Sequence, residues 1–308
     1  MTQQDLDYIR TDYGLAPIVS YDLLTGGSEN TNYLVRTTDG NYVVTICEQK
    51  SVPQAQELAH LLGHLATNNF KTSRVVYTVT QKAVVVWNGK PVIVKHYLEG
   101  KIMAQLPDAL LTKVGQQMGK LHQISAPDYL PNTLSYGLEY FSEIESYMPN
   151  SPFGTWLADI KKTILSFNQQ PLPKCLIHSD IFYSNIIVSA DETEVRIMDF
   201  EEAAYYYRIF DVGMSIIGLC ENDGGIAIQK AQALLHGYQK EICLTQTEKE
   251  ALQAFTVYAA AAMAFWRHKN FNHVHPEPHM YDHYKQLQEV ANAVRSIPLA
   301  EFLGILNG

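Results

Sequence analysis

The chain has 308 residues, 32 acidic against 23 basic side chains, a net charge of −9 and a hydrophobic share of 46%. That length supplies a sizeable core in one large domain or two lobes, while the acidity and the lack of a Lys/Arg cluster exclude a basic footprint for nucleic acid. The start, MTQQDLDYIRTDYG, is polar and acidic and unlike a signal peptide, no apolar run reaches a membrane span, and Cys47, Cys175, Cys220 and Cys243 form no C-x-x-C, so a cytoplasmic protein with reduced thiols is expected.

Residues 2–13 predict a short helix ending near Gly14. Strands are expected at 18–24, 33–37 and 42–47, joined by TGGSENTN and by TDGN, whose Asp39-Gly40 is a strong hairpin signal. Glycines in the first link would let backbone N–H groups approach phosphates, although hairpin glycines usually serve only the turn. Pro53 in a first turn opens a helix to about residue 68, with Leu58, Leu61, Leu62 and Leu65 on its apolar face. Segments 74–78, 83–87 and 91–97 again read as strands, with an Asn88-Gly89 turn between the last two. At Tyr97-Leu98-Glu99-Gly100 the pattern changes from mostly strands to mostly helices, which divides the chain into 1–97 and 98–308. Helices are then expected at 107–124, 138–148, 153–167, 212–220, 225–238, 246–267 and 278–296. The segment 268–279, with His273, His275 and His279, reads as a proline-rich surface loop, since a zinc site needs three or four convergent ligands.

The richest stretch is CLIHSDIFYSNIIVSADETEVRIMDFEE, residues 175–202. It holds His178-x-Asp180, then Asn185, then Asp199-Phe200, with two apolar runs at 186–188 and 195–198 joined by a polar link. Such runs predict a β-hairpin, entered by a loop carrying Asp180 and Asn185 and returning Asp199 to the same end. Phosphoryl transfer needs a carboxylate to orient a hydroxyl and receive its proton, and oxygen ligands for the metal on the nucleotide phosphates. Asp180 fits the first task; Asn185 and Asp199 fit the second. The order matches H-R-D-x-x-x-x-N followed by D-F-G, written here as H-S-D-I-F-Y-S-N and D-F-E.

These residues resemble the kinase-like small-molecule phosphotransferases, the aminoglycoside phosphotransferase and choline kinase superfamily, in which a small residue such as Ser179 replaces the arginine of the first motif. The segments 27–35, 38–45 and 89–100 are similar to the kinase-like homoserine kinases within it. The resemblance implies an α+β, bilobal protein-kinase-like fold: an N-terminal antiparallel sheet lobe with one main helix that binds nucleotide, and a mostly helical C-terminal catalytic and substrate lobe. It implies ATP and Mg²⁺, with Gly27, Ser28 and Asn30 at the phosphates, Tyr97 and Leu98 at the adenine, Asp180 and Asn185 at the reaction, and Asn185 and Asp199 on the metal. It also implies that Asp211 braces the catalytic loop, which is compatible with an N-cap role, and that Glu57 stands where kinases carry their helix glutamate.

One departure is plain: Thr45 stands where kinases place the strand lysine that holds the phosphates, with Lys50 or Lys95 as the candidate substitutes. The resemblance implies a small-molecule hydroxyl acceptor, best matched by L-homoserine. An aminoglycoside, choline or another amino alcohol is the alternative, with Glu201, Glu202 and the tyrosines 205–207 as a setting for a cation. An amino-acid acceptor requires a cation for its carboxylate, and Arg208 and Arg267 are the candidates. A kinase-like binding protein without activity is the third reading, which the trio Asp180, Asn185 and Asp199 disfavours.

Overall fold

The protein is described by a computed structural model covering residues 2–24, 30–167 and 170–307. It contains two compact units, Met1–Gly100 with Met198–Glu201, and Lys101–Ile197 with Glu202–Gly308.

The first unit begins with helix α1 (Gln3–Tyr13), where Thr2 and Asp5 form a reciprocal capping box and Gly14 closes the helix at φ 64°. Strands β1 (Ile18–Leu24), β2 (Asn30–Thr37) and β3 (Asn41–Cys47) are followed by helix α2 (Val52–Thr67), then β4 (Val84–Trp87) and β5 (Lys90–His96). The sheet is antiparallel, in the order β1-β2-β3-β5-β4. Period-two alternation puts Val35, Tyr42, Val44, Ile46, Val92 and Val94 into one core with Leu6, Ile9 and Tyr13 of α1. Ser51 caps α2, which buries Leu58, Leu61, Leu62 and Leu65 as its spacing predicted. The strand expected at 74–78 shrinks to a single bridge, Val75 opposite Lys95. The reason is occupancy: β4 pairs with β5 from Lys90 to Ile93, leaving only its last residues for the 74–76 backbone.

The second unit is mostly helical: α3 (Asp108–Leu121), α4 (Ile144–Tyr147), α5 (Pro152–Leu165), α6 (Arg208–Leu219), α7 (Ile228–Gln239), α8 (Gln246–Lys269), α9 (His283–Ser296) and α10 (Leu299–Phe302). Three short ladders lie among them. Strand β6 (Lys174–Ile177) pairs with β9 (Ala204–Tyr207), β7 (Ile186–Val188) with β8 (Val195–Ile197), and β10 (Glu221–Asn222) with β11 (Gly225–Ile226), all antiparallel. The helix expected at 138–148 is a 3-10 turn, Phe141–Glu143, running into the single turn of α4. Helix α8 passes into a π-helical turn, Asn270–Val274, where a surface loop was expected. Helices α3 and α7 cross backbone to backbone: a Cβ on Gly115 would lie 2.0 Å from Leu234 O, and one on Gly237 1.9 Å from Thr112 O.

Candidate active site

In the second unit the hairpin register sets Ile186 opposite Ile197, and the loop from His178 to Asn185 leads into it. Asn185 Nδ2 donates to Asp180 O at 2.8 Å and to Asp180 Oδ2 at 2.9 Å. The amide thereby fixes the Asp180 carboxylate and turns its own Oδ1 away, where it accepts from none of the described residues. Ser179 is buried with φ 69°, a left-handed conformation that costs a non-glycine residue free energy. Three bonds hold it there: its N–H donates to Asp211 Oδ1 (2.7 Å), its Oγ to Glu202 O (2.6 Å), and its carbonyl accepts from Tyr136 Oη (2.6 Å). Asp211 Oδ2 also accepts from His178 N at 3.0 Å and lies 3.0 Å from His122 Nε2, whose Nδ1 is 2.9 Å from Tyr238 Oη. Burial pushes the Asp211 carboxyl upward, but the bond and charge of His122 and the His178 amide prevail and leave it below the usual aspartate range. Burial, then the nearby Asp180 and Glu202, push Tyr136 well above the ordinary phenol range, so it stays a donor. Helix α6 comes close enough to this loop that a Cβ on Gly218 would lie 2.2 Å from Ile181 O.

In the first unit Asp199 is exposed at φ 68°, and among the described residues nothing donates to its carboxylate. Phe200 is buried edge-on against Phe70, with ring centroids 5.9 Å apart. Glu201 accepts from Asn30 Nδ2, and its other oxygen lies 3.4 Å from Lys50 Nζ, which is also 3.4 Å from Glu201 O. That second oxygen is buried and makes no hydrogen bond of good geometry, so the pair is an ion contact only. Thr45 is buried on β3 and donates to Asn32 Oδ1 at 2.7 Å. Tyr97 and Leu98 are half-buried at the end of β5, and the Tyr97 amide donates to Asn41 O at 3.0 Å.

Residues 20–252 match the phosphotransferase enzyme family, APH. The chain belongs to that family. Among relatives, a homoserine kinase of Paramagnetospirillum magneticum is 25% identical over 293 residues, covering 90% of this chain and 89% of its own. A homoserine kinase of Rhizobium meliloti is 29% identical over 270 residues, covering 82% and 79%. Of solved structures, an amicoumacin kinase in complex with AMP-PNP, Ca²⁺ and Ami is similar at TM-score 0.75 and 14% identity, over 96% of this chain and 94% of that one. A microcompartment-associated aminopropanol kinase is similar at TM-score 0.72 and 14% identity, over 98% of both chains. At such identities the likeness is one of fold, and it agrees with the expected kinase-like α+β class.

For this phosphotransferase, of the small-molecule kinase class, the structure joins Asp180 to Asn185 directly and joins Asn30 to Glu201. Gly27 and Ser28 lie outside the described residues. Within the second unit Asn185 Oδ1, and within the first the Asp199 carboxylate, are oxygen atoms of the kind a hard divalent ion takes, each without a protein donor among the described residues. Among the described residues no cluster of three or more His, Cys, Asp or Glu could hold a metal. Sequence reasoning missed the Lys50–Glu201 contact, although the acid following Asp-Phe was its signal. Glu57, expected near the helix-glutamate position, is exposed. Tyr136 was missed altogether, because nothing in the sequence near Leu134 marks a brace for a loop forty residues on.

Proposed function

We propose that the protein is an ATP- and Mg²⁺-dependent kinase that phosphorylates the hydroxyl of L-homoserine. Residues 1–97 form the nucleotide-binding lobe and 98–308 the catalytic and substrate lobe of a cytoplasmic enzyme. The observation that carries the reading is the Asp180 loop, a half-buried carboxylate fixed by Asn185 on a backbone braced by Asp211. The acceptor oxygen attacks the γ-phosphorus as the bond to the β–γ bridging oxygen breaks, and the hydroxyl proton passes to Asp180. Asn185 Oδ1 and the Asp199 carboxylate would hold Mg²⁺, which would offset the charge of the phosphates. Gly27, Ser28 and Asn30 border the phosphates. Tyr97 and Leu98 border the adenine, and Tyr97 uses its carbonyl, its amide being engaged by Asn41.

Lys50 takes the place of the absent strand lysine. Its support is the contact with Glu201, two residues after the proposed metal ligand, which holds the ammonium as kinases hold theirs with a helix glutamate. The relatives' name motivates homoserine over a cationic amino alcohol. So does the state of the acidic and aromatic stretch that would suit a cation: Glu201 is engaged by Lys50 and Asn30, Glu202 by Ser135, and Lys174 Nζ already lies 4.5 Å from the Tyr207 ring centroid. A coupled ADP-release assay over homoserine, choline, hydroxylysine, methylthioribose and aminoglycosides tests the reading. Homoserine is expected to give the highest kcat/KM. Turnover of choline or an aminoglycoside with none of homoserine would replace the substrate, and no ADP release with any of them would remove the function.

A further inference from the structure

Arg208 and Arg267 both lie in the second unit, and their environments differ. Arg208 is spent on structure: Nε and Nη2 grip the two oxygens of buried Glu248 at 2.5 and 2.6 Å, where Glu248 also caps α8. Arg267, in the last turn of α8, has only neutral partners, His283 O at 3.4 Å and Gln286 Oε1 at 3.2 Å. Among the described residues no carboxylate lies within ion-pair distance of it. Burial lowers its guanidinium to about 10, against the opposing charge of Asp180, so it remains a cation at neutral pH. A desolvated guanidinium without a paired anion is unfavourable unless an anion arrives.

Polar atoms on this end of α8 and the elements that follow it are also incomplete. Both amide atoms of Asn272, His283 Nδ1 and His268 Nε2 are buried with no hydrogen-bond partner. These are four of the five such atoms among the described residues, and all sit on the end of α8, the π-helical turn or the start of α9. The Phe271 ring, beside Asn272 in sequence, is 6.0 Å from the His283 ring, and His283 O is the atom Arg267 touches. Burial holds His268 at about 4, and burial with the Arg267 charge lowers His283, so both rings are neutral at pH 7. Native proteins leave few buried polar groups unpaired, and a π-bulge often marks a functional position.

We propose that Arg267, with Asn272 and His283, binds the carboxylate end of a hydroxy amino acid whose hydroxyl is presented to Asp180. The proposal rests on the phosphotransferase reading and specifies its acceptor class: an acid-bearing acceptor in place of a purely cationic alcohol. A fork of guanidinium donors matches a carboxylate in geometry and charge. The amide and the neutral imidazole supply the adjacent polar contacts, and the same positive field disfavours choline and simple amino alcohols.

The test compares homoserine with two molecules that each lack one end: 3-aminopropan-1-ol, without the carboxylate, and 4-hydroxybutanoate, without the amine. For the native enzyme, kcat/KM with 3-aminopropan-1-ol is expected to fall about 100-fold or more below that with homoserine, since a charge-assisted carboxylate contact is lost. Arg267→Gln should raise KM for homoserine roughly 10- to 100-fold with KM for ATP unchanged, while kcat/KM with 3-aminopropan-1-ol should rise, since the charge that repels its ammonium is gone. Asn272→Asp, which adds a repelling charge on a turn whose backbone needs no amide side chain, should weaken homoserine and 4-hydroxybutanoate together. Equal or better turnover of 3-aminopropan-1-ol by the native enzyme would overturn the proposal while leaving the kinase intact; this arm needs no variant to fold. No turnover of any hydroxyl compound would instead overturn the reading beneath it.

Discussion

Two buried polar regions of the helical unit stand in opposite states. The loop around Asp180 is saturated but for Asn185 Oδ1: among the described residues Ser179, His178 and Asn185 Nδ2 each find internal partners, and Asp211 alone accepts from two backbone amides. The turn after α8 is unsaturated, with both amide atoms of Asn272 and one nitrogen of each of two histidines unpaired. Under the proposed function, the difference separates what the reaction always requires from what a particular acceptor supplies. Preorganised groups act without rearranging at the moment of transfer, whereas a specificity surface keeps its bonds for the ligand.

The largest expected effect lies on the saturated side. Asp180→Asn keeps the shape and removes the charge proposed to accept the proton, so kcat should fall roughly 10²- to 10⁴-fold. The KM for ATP should stay within a few-fold, because the lost interaction belongs mainly to the transition state. Near-native turnover would take Asp180 out of the mechanism.

Asp211 is next, and its effect is on stability. Asp211→Asn would turn an NH₂ toward one of the two amides that now meet an oxygen, at a cost of about 3 kcal/mol by denaturation. The pH dependence gives the sign. The folded carboxyl lies below its ordinary range, so its stabilising share is present above the unfolded pKa and is lost as pH falls through the folded one. The stability gap between native protein and variant should therefore narrow below roughly pH 4. A constant gap down to acid unfolding would mean that Asp211 is bound as a neutral group.

Lys50 sharpens the comparison from the other unit. Lys50→Gln should raise KM for ATP about tenfold or more, with homoserine KM little changed, if its ammonium carries the strand-lysine role. Equal KM for ATP would return Lys50 to being merely the partner of Glu201.

The saturated region was the legible one. His178, Asp180 and Asn185 share one stretch of sequence, and the hairpin that they lead into follows from apolar runs around a polar link. Strands 18–24 and 91–97 and the helix from Pro53 were equally local signals, and the structure has them within a residue or two. What the sequence hid depends on distant partners. Strands β6 and β9 pair across the intervening β7–β8 hairpin, and Tyr136 reaches Ser179 from another segment. The roles of Arg208 and Arg267 separate only once Glu248 is seen beside the first. The histidine-rich segment misled in a different way: its prolines and polar residues read as a loop, while packing of Phe271 against Trp266 and His283 accompanies a π-helical turn there.

The smallest expected effect marks the edge of the unsaturated region. His273 stacks on Tyr147 with centroids 4.4 Å apart and planes 7° from parallel, but the histidine itself is exposed. His273→Ala removes a surface stack, and its stability change should stay within about 0.5 kcal/mol. The turn should persist, since its backbone is held independently by His275 N to Asn270 O at 2.8 Å and Glu277 N to Phe271 O at 2.9 Å. With the turn in place Asn272 keeps its position, so KM for homoserine should change less than about threefold, the equivalent of that small energy. A tenfold rise in KM at unchanged melting temperature would show that the stack itself orients the turn toward the acceptor, and the unsaturated region would then extend outward to Tyr147.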